Sequence, residues 1–202
     1  TEGIKKLKAA GFMELSMRES WKLEAGGAYY IAPYATSLFA FTIGSDWKEG
    51  QNFRIAAAHT DQPGFHIKPN AVMTEGKYLK LDTEVYGGPI LNTWMDRPLS
   101  IAGRVALRSE KPFHPRMQLI DIRKPVLTIP NLAIHVNRDI NKGIELNRQT
   151  DMIPIMALKK ELGEADQIDG EKRYLIKYLA DYLEVEADDI LDYDIYIYNG
   201  RK

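Results

Sequence analysis

The chain contains no cysteine among its 202 residues, which excludes disulfides and every thiolate metal site. It also lacks a surplus of either charge. The 27 lysines and arginines stand against 28 aspartates and glutamates, for a net charge of −1. Without a basic excess there is no electrostatic footprint for nucleic acid or for an anionic membrane surface. No apolar run approaches the roughly 18 residues of a membrane-crossing helix. No signal-peptide pattern, internal repeat or low-complexity tract is visible. The missing cysteines lean towards a cytoplasmic protein.

What remains is ordinary globular composition: 45% hydrophobic, 27% charged and 10% aromatic. That is enough apolar material for one large domain or two small ones. The sequence starts at Thr1 rather than methionine and stops at "YIYNGRK", just after a strand-like run. Both ends read as cut, so a piece of a longer protein is expected.

Residues 2 to 10, "EGIKKLKAA", place Ile4, Leu7 and Ala10 near one helical face, with Gly11 as a stop. Ser16 and Glu19 have capping-box spacing, which predicts a short helix there. "AYYIAPYATSLFAFTIG" predicts two strands meeting near Pro33 to Thr36. "FRIAAA", residues 53 to 58, suits a buried central strand. After Pro69 the pattern changes. "YLKLDTEV" (78 to 85), "LSIAGRVAL" (99 to 107) and "MQLIDI" (117 to 122) alternate with period two, as half-exposed antiparallel strands do. Leu175, Tyr178, Leu179, Tyr182 and Leu183 form a helical stripe within residues 171 to 183. "DIYIY", 194 to 198, predicts a last strand.

The chemistry-bearing stretch is "AAAHTDQPGFHIKP". His59 follows three alanines at the end of the expected strand, where α/β sheets place functional groups. In an extended chain the side chain of Asp61 points the same way as that of His59. Asp61 can then accept a hydrogen bond from one imidazole nitrogen and leave the other for a metal. Pro63 restricts Gln62 and helps to fix the pair. Taken alone, "HTD" is a common, weak pattern that reads more simply as a strand terminator, with Asp61 bonding turn amides.

The longer string resembles the metal-site strand of the M18 family of metallo-aminopeptidases. Three further tracts carry the same resemblance in family order: "VYGGPILNTWMDRPLSIAGRV" (85 to 105), "LTIPNLAIHVNRDINKGIELNRQ" (127 to 149) and "LDYDIYIYN" (191 to 199). The resemblance implies an α/β fold: the first part of a zinc-exopeptidase catalytic domain with an inserted, mainly β dimerisation domain. The catalytic part would cover residues 1 to 70 and the insertion residues 71 to 190. Residues 191 to 202 would return to the catalytic domain. It further implies that His59 binds one of two zinc ions and that Asp61 orients the ring. His135 would reach into the partner subunit's site and contact substrate. Without the resemblance, "LAIHV" reads as an apolar strand with a structural histidine. Cobalt or manganese can replace zinc in such a site.

The implied activity is release of amino-terminal residues from peptides by a metal-activated water. The implied assembly is a homo-oligomer, the family commonly joining dimers into a tetrahedral dodecamer. Trp94 is expected to pack, Asp96 and Arg97 to form an ion pair or an interface contact, and His66 to point away from Phe65 and Ile67. His114 reads as loop. Gln62 replaces the more usual serine, which leaves ligand and orienter in place. The family's bridging aspartate, glutamate pair and last histidine come from later in its sequence, so these 202 residues should be inactive alone. The alternative is a non-catalytic oligomerisation fragment. A small hydrolase using His59 and His135 within one chain has too few carboxylate partners. The final strand and "FRIAAA" are expected to leave unpaired edges that favour association.

Overall fold

The computed structural model describes residues 2–34, 36–48, 50–161 and 170–200. Helix α1 spans Glu2–Ala9 and ends where the sequence places its stop. The Phe12 N–H donates to Leu7 O and the Gly11 N–H to Lys8 O, a paired closure that needs a left-handed residue at Gly11. Gly11 supplies it, with φ of 82°.

The chain divides between His59 and Thr60 into two compact units. The first holds α1 and a three-stranded sheet of β1 (Met13–Glu14), β2 (Ala28–Tyr34) and β3 (Ser37–Thr42). β2 lies between the other two, parallel to β1 and antiparallel to β3. The β2–β3 hairpin is the one read from the aromatic run. Tyr29 and Tyr30 are buried, and Tyr29 packs on Phe41 with ring centres 5.5 Å apart. The Tyr30 hydroxyl donates to Glu14 at 2.7 Å. The helix expected from Ser16 is absent. Ser16 Oγ accepts the Arg18 N–H, two residues on, and its carbonyl accepts the Glu19 N–H. That closes a serine turn instead of a helix cap.

The second unit is built on a six-stranded sheet: β4 (Gly64–Glu75), β5 (Tyr78–Tyr86), β6 (Leu99–Leu107), β7 (Arg116–Asp121), β8 (Ile155–Leu158) and β9 (Ile190–Asn199). The order is β7-β6-β9-β4-β5-β8, with every paired neighbour antiparallel. Helix α2 (Gly170–Leu183) packs on β4. The alternating strands are those read from the sequence. Leu79 and Leu81 of β5, Leu99, Ile101, Val105 and Leu107 of β6, and Ile120 of β7 face inward. Leu175 and Leu179 of α2 close the core with Ile195 and Ile197 of β9. Apolar burial of this kind contributes about 25 cal/mol per Å². Gly103 is dictated by close approach. A Cβ there would stand 2.7 Å from Ile195 Cα and closer still to the Asp194 carbonyl.

Three placements differ from the sequence reading. Residues 53 to 58 form no strand, and Phe53 and Ile55 are 84% and 83% exposed. A central strand needs ladder partners on both sides, and no described strand pairs with this segment. Residues 64 to 70, expected in the first module, open β4 of the second unit. Pro69 and Asn70 interrupt the alternation of β4 and mask it in the sequence. Asn70 is left-handed at φ 55°, and five steps from Ile67 to Val72 face two steps of β5, from Thr83 to Leu81. Such a bulge is where proline fits inside a sheet. Finally, the expected return strand is β9, between β6 and β4 in this same sheet, so both of its edges are paired.

Candidate functional site

Residues 51 to 63 run without helix or strand, and His59 and Asp61 fall on either side of the division between the units. Asp61 belongs to the second unit, and its neighbours there are well defined. The Tyr86 hydroxyl, at the end of β5, donates to Asp61 Oδ2. That bond and the carboxylate's charge raise the Tyr86 pKa above its ordinary value, burial adding a smaller push. The same corner touches Pro63. Gly87 adopts φ of 71°, and a Cβ on it would lie 3.3 Å from Pro63 Cβ. Gly64 then pairs with Tyr86 as β4 begins. The Tyr86–Gly87 corner thus fixes the Asp61–Gly64 segment from one side. Trp94 packs edge-on against Phe65 at 5.0 Å and lies under Gly64, which is the packing role expected of it.

The outer face of the sheet continues from this corner. His66 and Tyr196 are register partners on β4 and β9, and their rings stack at 4.7 Å. Tyr86 meets Tyr196 edge-on at 6.0 Å. His66 Nε2 lies 3.2 Å from Asp194 Oδ1, an ion-pair distance without an aligned hydrogen bond. Arg104 grips the other oxygen of Asp194 through Nε and Nη2, each at 3.0 Å. Burial, and then the charge of Asp194, raises the Tyr196 pKa. His66 does point away from Phe65 and Ile67, as the alternation requires. His114 lies in a loop that Ser109 ties down by accepting the Lys111 N–H and donating to the His114 carbonyl.

His135 sits in an exposed turn, not in the apolar strand that "LAIHV" suggests. The Val136 and Asn137 N–H groups both donate to Ala133 O, which curls the chain and leaves Leu132, Ile134 and Val136 exposed beside the imidazole. Asp96 forms no ion pair with Arg97 among the described contacts. Its Oδ1 accepts the Asn131 N–H at 2.9 Å, on the approach to this turn. A cavity of about 470 Å³ lies between the turn at Leu91–Trp94 and residues 140 to 146, lined by Leu91, Met95, Asn131, Ile140, Ile144 and Leu146.

The donor set tests the expected metal. One imidazole with an orienting carboxylate offers a single ligand position, whereas zinc takes about three or four protein ligands. Among the described residues no group of three or more His, Asp or Glu side chains could hold an ion. The described residues do not by themselves complete a zinc site. No described helix is long and apolar enough to cross a membrane.

Comparison with known proteins gives one answer. The family model "Aminopeptidase I zinc metalloprotease (M18)" matches residues 2–202. A probable M18 family aminopeptidase 2 of Clostridium novyi is 48% identical over 201 residues, covering 98% of this chain and 45% of the relative. One of the same description from Pseudomonas putida is 38% identical over 203 residues, covering 98% and 45%. Among solved structures, a chain in the Ape4 and Nbr1 complex superposes with a TM-score of 0.83 at 33% identity, covering 98% of this chain and 40% of that one. An M18 aminopeptidase from Thermotoga maritima shares the fold, with a TM-score of 0.70 at 21% identity, covering 98% and 43%. The chain spans less than half the length of these relatives. On the match of residues 2–202, the chain belongs to the M18 family of aminopeptidases.

Proposed function

We propose that the whole protein to which this chain belongs is a zinc-dependent aminopeptidase that releases amino-terminal residues from peptides. The observation that carries this reading is the family match over residues 2–202. His59 supplies one metal ligand. Asp61 orients its ring, and Tyr86 supports Asp61. Bound zinc, two per site on this reading, with cobalt or manganese as possible substitutes, supplies an activated water and a Lewis acid at neutral pH. The remaining ligands and the general base come from outside these 202 residues, so this chain alone is inactive.

Residues 1 to 59 are the opening part of the catalytic domain on this reading, and residues 53 to 58 find their strand partners in sequence beyond this chain. The apolar exposure of Phe53 and Ile55 supports that assignment. Residues 71 to 190, with the strands that complete their sheet, pair with a second copy. His135 serves substrate in that copy's site, for which an exposed turn is a suitable platform. Dimers assembled further into a dodecamer follow by analogy with the yeast aminopeptidase solved as one.

The test is hydrolysis of short peptides by the whole protein and by its His59→Ala variant. The variant should lose at least about 100-fold in kcat/KM. A variant within twofold of the parent would remove His59 from the site. A parent without peptidase activity would favour a protein that only assembles.

A further inference from the structure

Asp96 adopts a backbone conformation that the rest of its turn does not require of an aspartate. Its φ is 53°, in the left-handed region where glycine is most at ease and Asp and Asn are the side chains best tolerated. Asp96 is exposed, so no packing of its side chain explains the choice. What it does is hold one strand of chain at two points. Its N–H donates to Ile129 O at 2.9 Å, and its Oδ1 accepts the Asn131 N–H at 2.9 Å. The two bonds bracket Pro130, which has no N–H of its own to contribute.

This bracket stands where the segment leaves the core. Ile129 is fully buried, and its neighbour Thr128 exchanges two hydrogen bonds with Ile155, at 3.1 and 2.8 Å. From 132 to 154 the described chain has no strand pairing, and the side chains at 132 to 136 are exposed. Asn131 passes the restraint on by accepting the Leu132 N–H at 2.9 Å. Three residues later comes His135. We propose that Asp96 is the positioning residue for the His135 turn, setting the angle at which that turn leaves the core. The proposal rests on the reading of His135 as a substrate contact, and it adds the residue that aims it. Errors of about 1 Å in such a group cost up to about 100-fold in rate.

Three variants of the whole protein separate the roles of Asp96. Asp96→Asn keeps both the left-handed tolerance and a carbonyl acceptor. Asp96→Gly keeps the backbone conformation and deletes the acceptor. His135→Ala deletes the group being aimed. Two readouts are needed: kcat and KM on a short peptide, and hydrogen exchange of the backbone amides of residues 132 to 138.

Asp96→Gly should speed exchange of those amides about tenfold and lower kcat/KM on the order of tenfold, with the melting temperature unchanged. Asp96→Asn should stay within about twofold of the parent on both. Unchanged exchange in Asp96→Gly overturns the bracket. Faster exchange with parental kinetics, while His135→Ala is impaired, overturns the positioning role alone. If His135→Ala itself keeps parental kinetics, the reading of His135 fails, and the exchange data still decide whether Asp96 holds the turn.

Discussion

Tyr86 reaches Asp61 across 25 positions of sequence, and Asp96 reaches Asn131 across 35. "HTD" draws attention in the sequence because a histidine, a short gap and an aspartate close an apolar run, but the ligand role comes from the longer tract and stays a proposal. The residues that hold the motif were not legible, since nothing local in "VYGG" says which carboxylate its phenol will meet. Asp121 is a further long-range case. It accepts the Tyr198 hydroxyl at 2.6 Å and the Arg123 Nε at 2.7 Å. These contacts, the tyrosine first, hold its carboxyl below the ordinary carboxylate range. A depressed folded-state pKa contributes stability that is fully present above the unfolded value of about 4 and is lost as pH falls through the folded one. Asp121→Asn should therefore lower the melting temperature near pH 7 and flatten its decline below about pH 4. Thermal melts over that range check this, and an acid limb as steep as the parent's would count against the role of Asp121.

At the scale of elements, the strands of the second unit were legible in proportion to their regularity. β5 and β6 each bury one face, so period two is written into their residues, whereas β7 buries Ile120 and turns Met117 and Leu119 outward. β4 hides because Pro69 and Asn70 break the alternation at the bulge, and β8 because four residues are too few to show a period. The segment at 53 to 58 failed in the opposite sense. Its apolar residues suit a strand, but a strand is made by its neighbours, and pairing cannot be read from one segment. Gly103 shows how much the pairing constrains a single position. β6 and β9 approach so closely there that any side chain must displace the Asp194 carbonyl and Ile195 backbone. Gly103→Ala should destabilise the second unit by about 1–3 kcal/mol, the usual range for overpacking. Urea unfolding measures it, and a change under about 0.5 kcal/mol would mean that the two strands separate more easily than the sheet implies.

At the scale of the whole molecule, the chain has one unit built on a six-stranded sheet and a first unit whose last residues, 51 to 59, form no helix or strand. The relatives are more than twice as long as the part matched here. On the proposed reading, His59 is one ligand of a set that is completed elsewhere in the whole protein. The central claim is that His59 is a zinc ligand, and metal content tests it more directly than activity. The measurement is zinc per chain, by elemental analysis of the whole protein and of its His59→Ala variant after identical dialysis. The account predicts about two zinc ions in the parent and about one fewer in the variant. Equal zinc in the two proteins, or none in the parent, would contradict it.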